Sequence, residues 1–261
     1  MTKLIPLLRV YFAALAYCAR IFTIGCLSRA DRTGMKLICD LAGKRIRPAE
    51  QLLPEVGIDD LVPMARHIRM EKADCNQNGG LGLFDLFVID TLCDFFRPRR
   101  IFEFGTFQGR TTLNLAANSP EDAKIFTLDL PREKIEAAQF AVLDGENAFV
   151  QNLEAPRLFA GTPYAGKVVQ LFGDSSTFDY SPYLNSMDFI FIDASHSYEA
   201  VLNDSRRALE MLRGGHGVIV WDDYDAWYEG LTNAVGLLYR TEPAFRGAKK
   251  IRGTSFAYLQ L

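Results

Sequence analysis

The chain predicts a doubly wound α/β fold, and three observations in its 261 residues lead to that prediction. Short apolar runs rich in β-favouring residues alternate with amphipathic helical stretches, as in a mostly parallel sheet with helices on both faces. A glycine turn at Gly105–Gly109 separates the first such run from a helix start. Carboxylates follow the ends of these runs, where ligand sites lie in open α/β sheets.

The first strand and its glycine turn are the most informative stretch. Ile101, Phe102 and Phe104 favour a buried strand, and Glu103 places a carboxylate near its end. The two glycines permit a tight turn, and the free N–H groups of the helix that starts near Thr111 face whatever fills it. The spacing E-x-G-x-x-x-G differs from the G-x-G-x-x-G of dinucleotide-binding proteins, which argues against NAD.

The second and third strands also end in polar residues. Lys124–Asp129 reads as a strand whose last residue follows Gly109 by 20 positions, the spacing at which doubly wound folds hold ribose hydroxyls. Asp129 also suits a helix cap before Pro131, and both readings stay open. The third strand, Val168–Phe172, ends in Gly173-Asp174-Ser175, which is either ligand-binding or an ordinary turn.

The fourth and fifth strands carry the predicted chemistry. Met187–Asp193 is an apolar run that ends in an acid and is followed by His196, and Gly217–Trp221 leads into Asp222-Asp223. The three aspartates form an oxygen-ligand set suited to Mg²⁺. Helix capping at Asp193, a turn at His196 and a polar loop at Asp222-Asp223 are the alternatives.

Two stretches resemble known enzymes. The E-x-G-x-x-x-G spacing resembles the first motif of class I S-adenosylmethionine-dependent methyltransferases. The run from Ile192 to Tyr224 (IDASHSYEAVLNDSRRALEMLRGGHGVIVWDDY) is similar to catechol-type O-methyltransferases and to bacterial sugar O-methyltransferases of antibiotic biosynthesis. The resemblance covers residues 76–261. It implies a Rossmann-like seven-stranded sheet that ends in an antiparallel hairpin, here preceded by an N-terminal helical extension.

The resemblance also implies functions for individual residues. Cofactor binding is expected from Glu103, Gly105, Thr106, Gly109, Asp129, Asp174, Ser175 and Asp193. Mg²⁺, or another divalent cation, is expected on Asp193, Asp222 and Asp223, so that Asp193 also takes part in catalysis. His196 stands three positions after Asp193, where the catechol enzymes have a lysine base. An unperturbed histidine titrates near neutral pH and suits proton removal from a hydroxyl.

The chain is predicted to have three parts. Residues 1–30 form an apolar, basic helix, residues 31–75 a helical and loop extension, and residues 76–261 the methyltransferase domain. Arg9 and Arg20 interrupt the apolar N-terminal stretch, so neither a membrane span nor a secretory signal is expected. The helix could lie in a membrane interface. Packing on its own core or in a homodimer is slightly favoured.

Composition completes the prediction. A net charge of −3 predicts no general affinity for nucleic acid. Five cysteines without a C-x-x-C pair favour a cytoplasmic protein. Membrane association through the N-terminal helix is a further expectation. We expect S-adenosyl-L-methionine-dependent O-methylation of a small-molecule hydroxyl, with Mg²⁺ and His196 as base. The alternatives are a metal-independent N- or O-methyltransferase, and a nucleotide-binding or membrane-docked protein that is not a methyltransferase.

Overall fold

The computed structural model describes residues 15–20, 23, 49–63, 67–73, 80–140, 157–225 and 228–261. The chain divides into two compact units, residues 1–48 and residues 49–261. In the first unit, residues 15–20 and Thr23 are helical, and the Thr23 hydroxyl donates a hydrogen bond to the Ala19 carbonyl. The rest of the predicted N-terminal helix lies outside the described residues. Within the described part of the chain, no helix is both long and apolar enough to cross a membrane.

The second unit is a mixed sheet with helices packed on it. Among its described residues, the helices are α1 (Ile58–Leu61), α2 (Leu83–Phe96), α3 (Arg110–Asn118), α4 (Tyr198–Met211) and α5 (Glu229–Thr241). Its strands are β1 (Glu55–Val56), β2 (Arg100–Phe104), β3 (Lys124–Asp129), β4 (Val168–Phe172), β5 (Phe189–Ile192), β6 (Val218–Trp221), β7 (Lys249–Ile251) and β8 (Ala257–Gln260). Short 3₁₀ turns lie at Arg132–Ala137, Ala165–Lys167, Arg213–Gly215 and Pro243–Phe245.

The strand order confirms the predicted fold class. The eight strands lie in the order β1-β7-β8-β6-β5-β2-β3-β4. β8 runs antiparallel to both β6 and β7, which is the predicted C-terminal hairpin, and the other pairings are parallel. Strand β1 adds an eighth member at one edge by pairing with β7. Two residues are too short to show an alternation of apolar and polar residues, so the sequence pattern did not predict it.

The central strands separate two apolar cores. Phe102, Ile190 and Trp221 point to the face covered by α4 and α5, whereas Ile101 and Phe191 lie in the core with α2 and α3. β5 and β6 are buried along their whole length. Complete burial of one such large apolar side chain stabilises the fold by about 1.5–3 kcal/mol. The predicted continuous apolar runs are therefore explained by helices on both faces.

The topology brings several loops to one edge of the sheet. β2 pairs with β3 on one side and with β5 on the other, so the connections leave the sheet in opposite directions at this point. A crevice outside the carboxyl ends of the strands is expected where the winding direction changes. The loops that follow β2, β3, β4, β5 and β6 all meet there.

Candidate functional site

A cavity of about 370 Å³ lies at the carboxyl ends of the strands. Its lining includes eight of the eleven residues that the sequence assigned to the site: Gly105, Asp129, Asp174, Ser175, Asp193, His196, Asp222 and Asp223. The other three, Glu103, Thr106 and Gly109, lie outside the lining, next to it in the chain. The cavity therefore brings together the polar ends of five strands.

The glycine turn is required by close contacts within the protein. Gly105 has φ = +88°, and a Cβ atom there would lie 1.8 Å from the carbonyl oxygen of Asp193. Gly109 has φ = +80°, begins α3, and would place a Cβ atom 2.6 Å from the Phe159 ring. Any side chain at Gly105 would push the end of β2 away from the residue that follows β5. The turn thus keeps the end of β2 in contact with the residue that follows β5.

Glu103 lies beneath the turn in a polar network. Its Oε2 accepts hydrogen bonds from the hydroxyls of Thr112 at 2.5 Å and Thr127 at 2.6 Å, whereas its buried Oε1 has no hydrogen-bond partner. Thr106 bonds with the Thr127 hydroxyl and accepts from Gln170 Nε2. Burial raises the pKa of Glu103 to about 7, although the two threonine hydrogen bonds act to lower it.

Asp129 forms an ion pair that the sequence did not predict. Its Oδ2 lies 2.9 Å from Nη2 of Arg157, and both side chains are largely buried. Arg157 also donates to the carbonyl of Phe107 within the glycine turn. Burial raises the pKa of Asp129 to about 6, and the Arg157 guanidinium limits that rise. Arg157 was missed because it lies in a stretch without a periodic pattern of apolar residues.

Asp174 closes a turn and also lines the cavity. Its Oδ1 accepts from the backbone and hydroxyl of Ser176, and its Oδ2 accepts from the backbone N–H of Gln139 at 2.9 Å. Burial opposes ionisation, but these hydrogen bonds outweigh it and lower the pKa of Asp174. Ser175 lies beside it in the lining, and its carbonyl accepts from Tyr180 and Asn203.

His196 and Asp223 form a hydrogen-bonded pair on the other side of the cavity. Nε2 of His196 lies 2.8 Å from Oδ2 of Asp223, and the imidazole stacks on the Tyr228 ring with centroids 4.4 Å apart. An ionised carboxylate can only accept, so the proton of this hydrogen bond lies on Nε2. Asp223 has a left-handed backbone, with φ = +58°, which an aspartate tolerates better than most residues.

The acidic residues after β5 and β6 differ in their contacts. One ligand atom from each of Asp193, His196 and Asp223 lies within 4.8 Å of the other two, so these three could hold a metal ion. Asp222 lines the cavity, but its Oδ1 accepts from the Ser255 hydroxyl at 2.5 Å and from the Asp223 N–H at 2.7 Å. His196, and not the predicted Asp222, therefore completes the compact group with Asp193 and Asp223. Burial, and then repulsion from Asp222 and Asp223, raise the pKa of Asp193.

The chain is similar to known methyltransferases. Residues 102–224 match the family model described as a methyltransferase domain. The O-methyltransferase TomG of Streptomyces achromogenes, solved with S-adenosylmethionine, is 17% identical over 78% of this chain and 96% of its own, with a TM-score of 0.48. An O-methyltransferase of Bacillus cereus, solved with S-adenosylhomocysteine, is 18% identical over 72% of this chain and 86% of its own, with a TM-score of 0.47.

No curated protein sequence is significantly similar to the chain. The family match spans the strands and loops that build the cavity, from β2 to the residue after Asp223. The sheet order and the hairpin complete the same fold outside the matched region. Residues 102–224 therefore match a methyltransferase domain, in agreement with the resemblance of this region to class I S-adenosylmethionine-dependent methyltransferases.

Proposed function

We propose that this protein transfers the methyl group of S-adenosylmethionine to a hydroxyl of a small molecule. The His196–Asp223 pair carries the proposal, because an imidazole held by a carboxylate beside the cavity is suited to take a proton from a hydroxyl. In many enzymes a base activates the nucleophile, and a third group orients that base. Here His196 would be the base and Asp223 the group that orients it. A positioned base suits transfer to oxygen, because a neutral hydroxyl is a poor nucleophile until it loses its proton.

The other half of the cavity fits the cofactor. Asp129 is suited to accept hydrogen bonds from ribose hydroxyls, and Asp174 and Ser175 lie near the expected adenine position. The unpartnered Oε1 of Glu103 lies near the glycine turn and suits the cationic amino group of the methionine part. When bound, the cofactor supplies a methyl group activated by a sulfonium.

The chain's own residues then handle the proton. His196 donates its Nε2–H to Asp223 and takes the acceptor's hydroxyl proton at Nδ1. Asp223 stabilises the imidazolium that results, as the carboxylate does in other His–Asp pairs. A positioned base of this kind accelerates a reaction by about 10²- to 10⁴-fold. Tyr228 holds the imidazole plane by stacking on it.

The first test is calorimetric titration of the full chain with S-adenosylmethionine, followed by a screen of hydroxyl and amine acceptors for release of S-adenosylhomocysteine. Fragmentation of the product by tandem mass spectrometry locates the new methyl group on oxygen or on nitrogen. Micromolar cofactor binding and an O-methylated product are expected. Products methylated only on nitrogen would contradict the proposal.

Metal assistance is a second candidate that one observation favours. Two carboxylates and an imidazole within 4.8 Å form a donor set that divalent cations accept. Asp193, Asp223 and His196 would hold the ion, with Asp222 from the original prediction held by Ser255 beside them. A bound divalent cation would lower the pKa of the acceptor hydroxyl and orient it. In that case the Nε2 atom of His196 would be a ligand and no longer a donor to Asp223.

Chelation separates the two candidates. The protein is treated with EDTA, and its melting temperature and turnover are then measured before and after addition of Mg²⁺, Mn²⁺ or Zn²⁺. The His196–Asp223 base predicts that turnover survives EDTA and that the melting temperature stays unchanged on adding metal. Loss of turnover together with a metal-dependent rise in melting temperature supports the metal site.

The predicted contacts of residues 1–30 remain a proposal of their own. Their apolar and basic composition suits either a membrane interface or a homodimer. Co-sedimentation with anionic liposomes, compared between the full chain and one that lacks residues 1–30, tests the first alternative. Analytical ultracentrifugation of the same two proteins tests the second. Equal behaviour of the two proteins in both assays contradicts both.

A further inference from the structure

The charged side chains that line the cavity are almost all acidic. Among the described lining residues, five are aspartates, His196 is the one basic side chain, and there is no lysine or arginine. Arg157 and Arg110 lie close by, but Arg157 is paired with Asp129, and Arg110 donates to the carbonyls of Lys72, Ala73 and Leu81. The lining therefore offers an anionic ligand no guanidinium or ammonium group.

The sequence around the lining shows the same bias. Three stretches that contribute lining residues contain eight aspartates and glutamates and no lysine or arginine, although the chain has 29 lysines and arginines in all: 173–184, 193–199 and 222–229. The stretch after β3 differs, but its exposed Arg132 and Lys134 alternate with Glu133 and Glu136. The site is thus surrounded by an excess of negative charge.

This excess acts on the side of the cavity where the acceptor is expected. Asp193, Asp222 and Asp223 line this side of the cavity together with His196 and Tyr228. Tyr228 stacks on His196, so an acceptor hydroxyl next to the base lies among the same carboxylates. An additional negative charge on the acceptor would be repelled there, and like charges brought together at a binding site cost several kcal/mol.

The cofactor does not neutralise this charge. S-adenosylmethionine carries a sulfonium and an ammonium against one carboxylate, so it adds a single positive charge to a lining with five aspartates. Asp225 and Glu229 follow Asp223 in the chain, belong to no expected cofactor or metal contact, and add to the excess. Aromatic faces that can bind a cation are also present in the lining, on Tyr228 and Phe140.

We propose that the methyl acceptor is a hydroxyl compound that carries a cationic amino group. This inference rests on the proposed O-methyltransferase function and adds the charge class of its substrate. A cationic group relieves the mutual repulsion of the carboxylates, stacks on the aromatic faces and, being close to the hydroxyl, makes that hydroxyl easier to deprotonate. Acids and phosphorylated compounds are excluded as good acceptors by the same charges.

Matched probes test the proposal on the full chain saturated with S-adenosylhomocysteine. Tyramine, 4-methylphenol and 4-hydroxyphenylacetate share a phenol and differ in the charge of one arm, and glucosamine, glucose and glucuronate repeat the series on a sugar. Affinities are measured by ligand-observed NMR at low salt and in 0.5 M KCl. The amine is expected to bind about tenfold or more tightly than the acid in at least one series, a difference of about 1.4 kcal/mol. Salt should narrow this difference, because it screens the carboxylates.

A pair of variants assigns the preference to the site. Asp225→Asn removes one charge next to Tyr228, and Glu121→Gln removes one charge from an exposed position before β3. The amine-to-acid preference should fall about two- to fivefold in the first variant and stay unchanged in the second, because Coulomb interactions weaken with distance and screening. Affinity for S-adenosylhomocysteine should be unchanged in both.

The outcomes distinguish a failure of this inference from a failure of the proposed function on which it rests. Equal binding of amine and acid, tighter binding of the acid, or no binding of any amine to protein that binds S-adenosylhomocysteine would overturn the charge class. An equal loss of preference in the two variants would overturn the assignment to this cavity. Failure to bind S-adenosylhomocysteine would instead contradict the cofactor assignment.

Discussion

Two hydrogen-bonded pairs face each other across the cavity, and they differ in their cation. Asp129 lies 2.9 Å from the guanidinium of Arg157, and Asp223 lies 2.8 Å from the imidazole of His196. A guanidinium stays protonated at any pH that proteins tolerate, whereas an imidazole gains and loses its proton near neutral pH. The geometry of the two pairs is similar, and their chemistry is not.

In the proposed function, this difference separates cofactor binding from proton transfer. The Asp129–Arg157 pair maintains a carboxylate that can accept hydrogen bonds from a ligand, because its cation cannot release its proton. The His196–Asp223 pair can change its charge during a reaction. Four substitutions test this contrast. Each one removes the proposed base, a carboxylate or a hydrogen-bond partner of a carboxylate.

Replacement of His196 should give the largest effect. His196→Ala removes the proposed base, so turnover should fall by about 10²- to 10⁴-fold while affinity for S-adenosylmethionine stays within twofold. His216→Ala, at an exposed position before β6, is the matched control and should retain full turnover. Steady-state kinetics and calorimetry measure the two quantities. Normal turnover in His196→Ala would place the base elsewhere.

Replacement of Asp223 should give a smaller loss. Asp223→Asn can still accept the Nε2–H of His196 but cannot stabilise an imidazolium, so turnover should fall by about 10- to 100-fold, within the span of a single base contribution. Asparagine also tolerates the left-handed backbone at this position, so the melting temperature should change little. Cofactor affinity should be unchanged. A loss of cofactor affinity as large as the loss of turnover would contradict the separation of the two pairs.

Replacement of Arg157 should weaken cofactor binding and leave turnover at saturating cofactor nearly intact. In Arg157→Met, Asp129 loses the cation that opposes its burial, so its pKa rises above the present value of about 6. Protonated Asp129 accepts hydrogen bonds poorly, so affinity for S-adenosylmethionine should fall. A rise of one unit in the pKa of Asp129 corresponds to a loss of about tenfold at pH 6.5, and the loss should be smaller at pH 8.5. The exposed Arg132→Met serves as control. A loss that does not depend on pH would show that Arg157 acts only through packing.

Replacement of Thr112 should give the smallest effect. Glu103 lies next to the cavity lining. Its carboxylate accepts hydrogen bonds from two hydroxyls, whereas Asp129 and Asp223 are each paired with a basic side chain. Thr112→Val removes one of them, so the pKa of Glu103 should rise further above about 7. Cofactor affinity should drop about two- to fivefold at pH 7 and recover by pH 9, where the carboxyl is ionised again. Ser119→Ala, at the end of α3, is a suitable control for hydroxyl loss.

The strands could be predicted because each is a self-contained local pattern. Lys124–Asp129 and Val168–Phe172 were predicted residue for residue. The convergence of Asp129, Asp174, Asp193 and Asp223 on one cavity also followed from the sequence, since parallel strands end at a common edge. Local composition and one topological rule were sufficient for these features.

The partners of the site residues could not be predicted, because they come from distant parts of the chain. Asp222 is held by Ser255, which lies 33 residues later at the hairpin, and this contact leaves His196 with Asp193 and Asp223 in the compact group. Arg157 reaches Asp129 from 28 residues away. Such pairings depend on how loops pack over the sheet edge, and no spacing rule records that packing.

One side chain joins the beginning of the second unit to the end of its site. The hydroxyl of Tyr224, the residue after Asp223, accepts the backbone N–H groups of Leu52 at 2.9 Å and Leu53 at 3.2 Å. A chain shortened to begin at residue 54 would keep every strand of the sheet and yet leave this buried hydroxyl without either donor. The residue next to Asp223 thus has its anchor outside the region that the family match covers, so a fragment that keeps this anchor extends to at least Leu52.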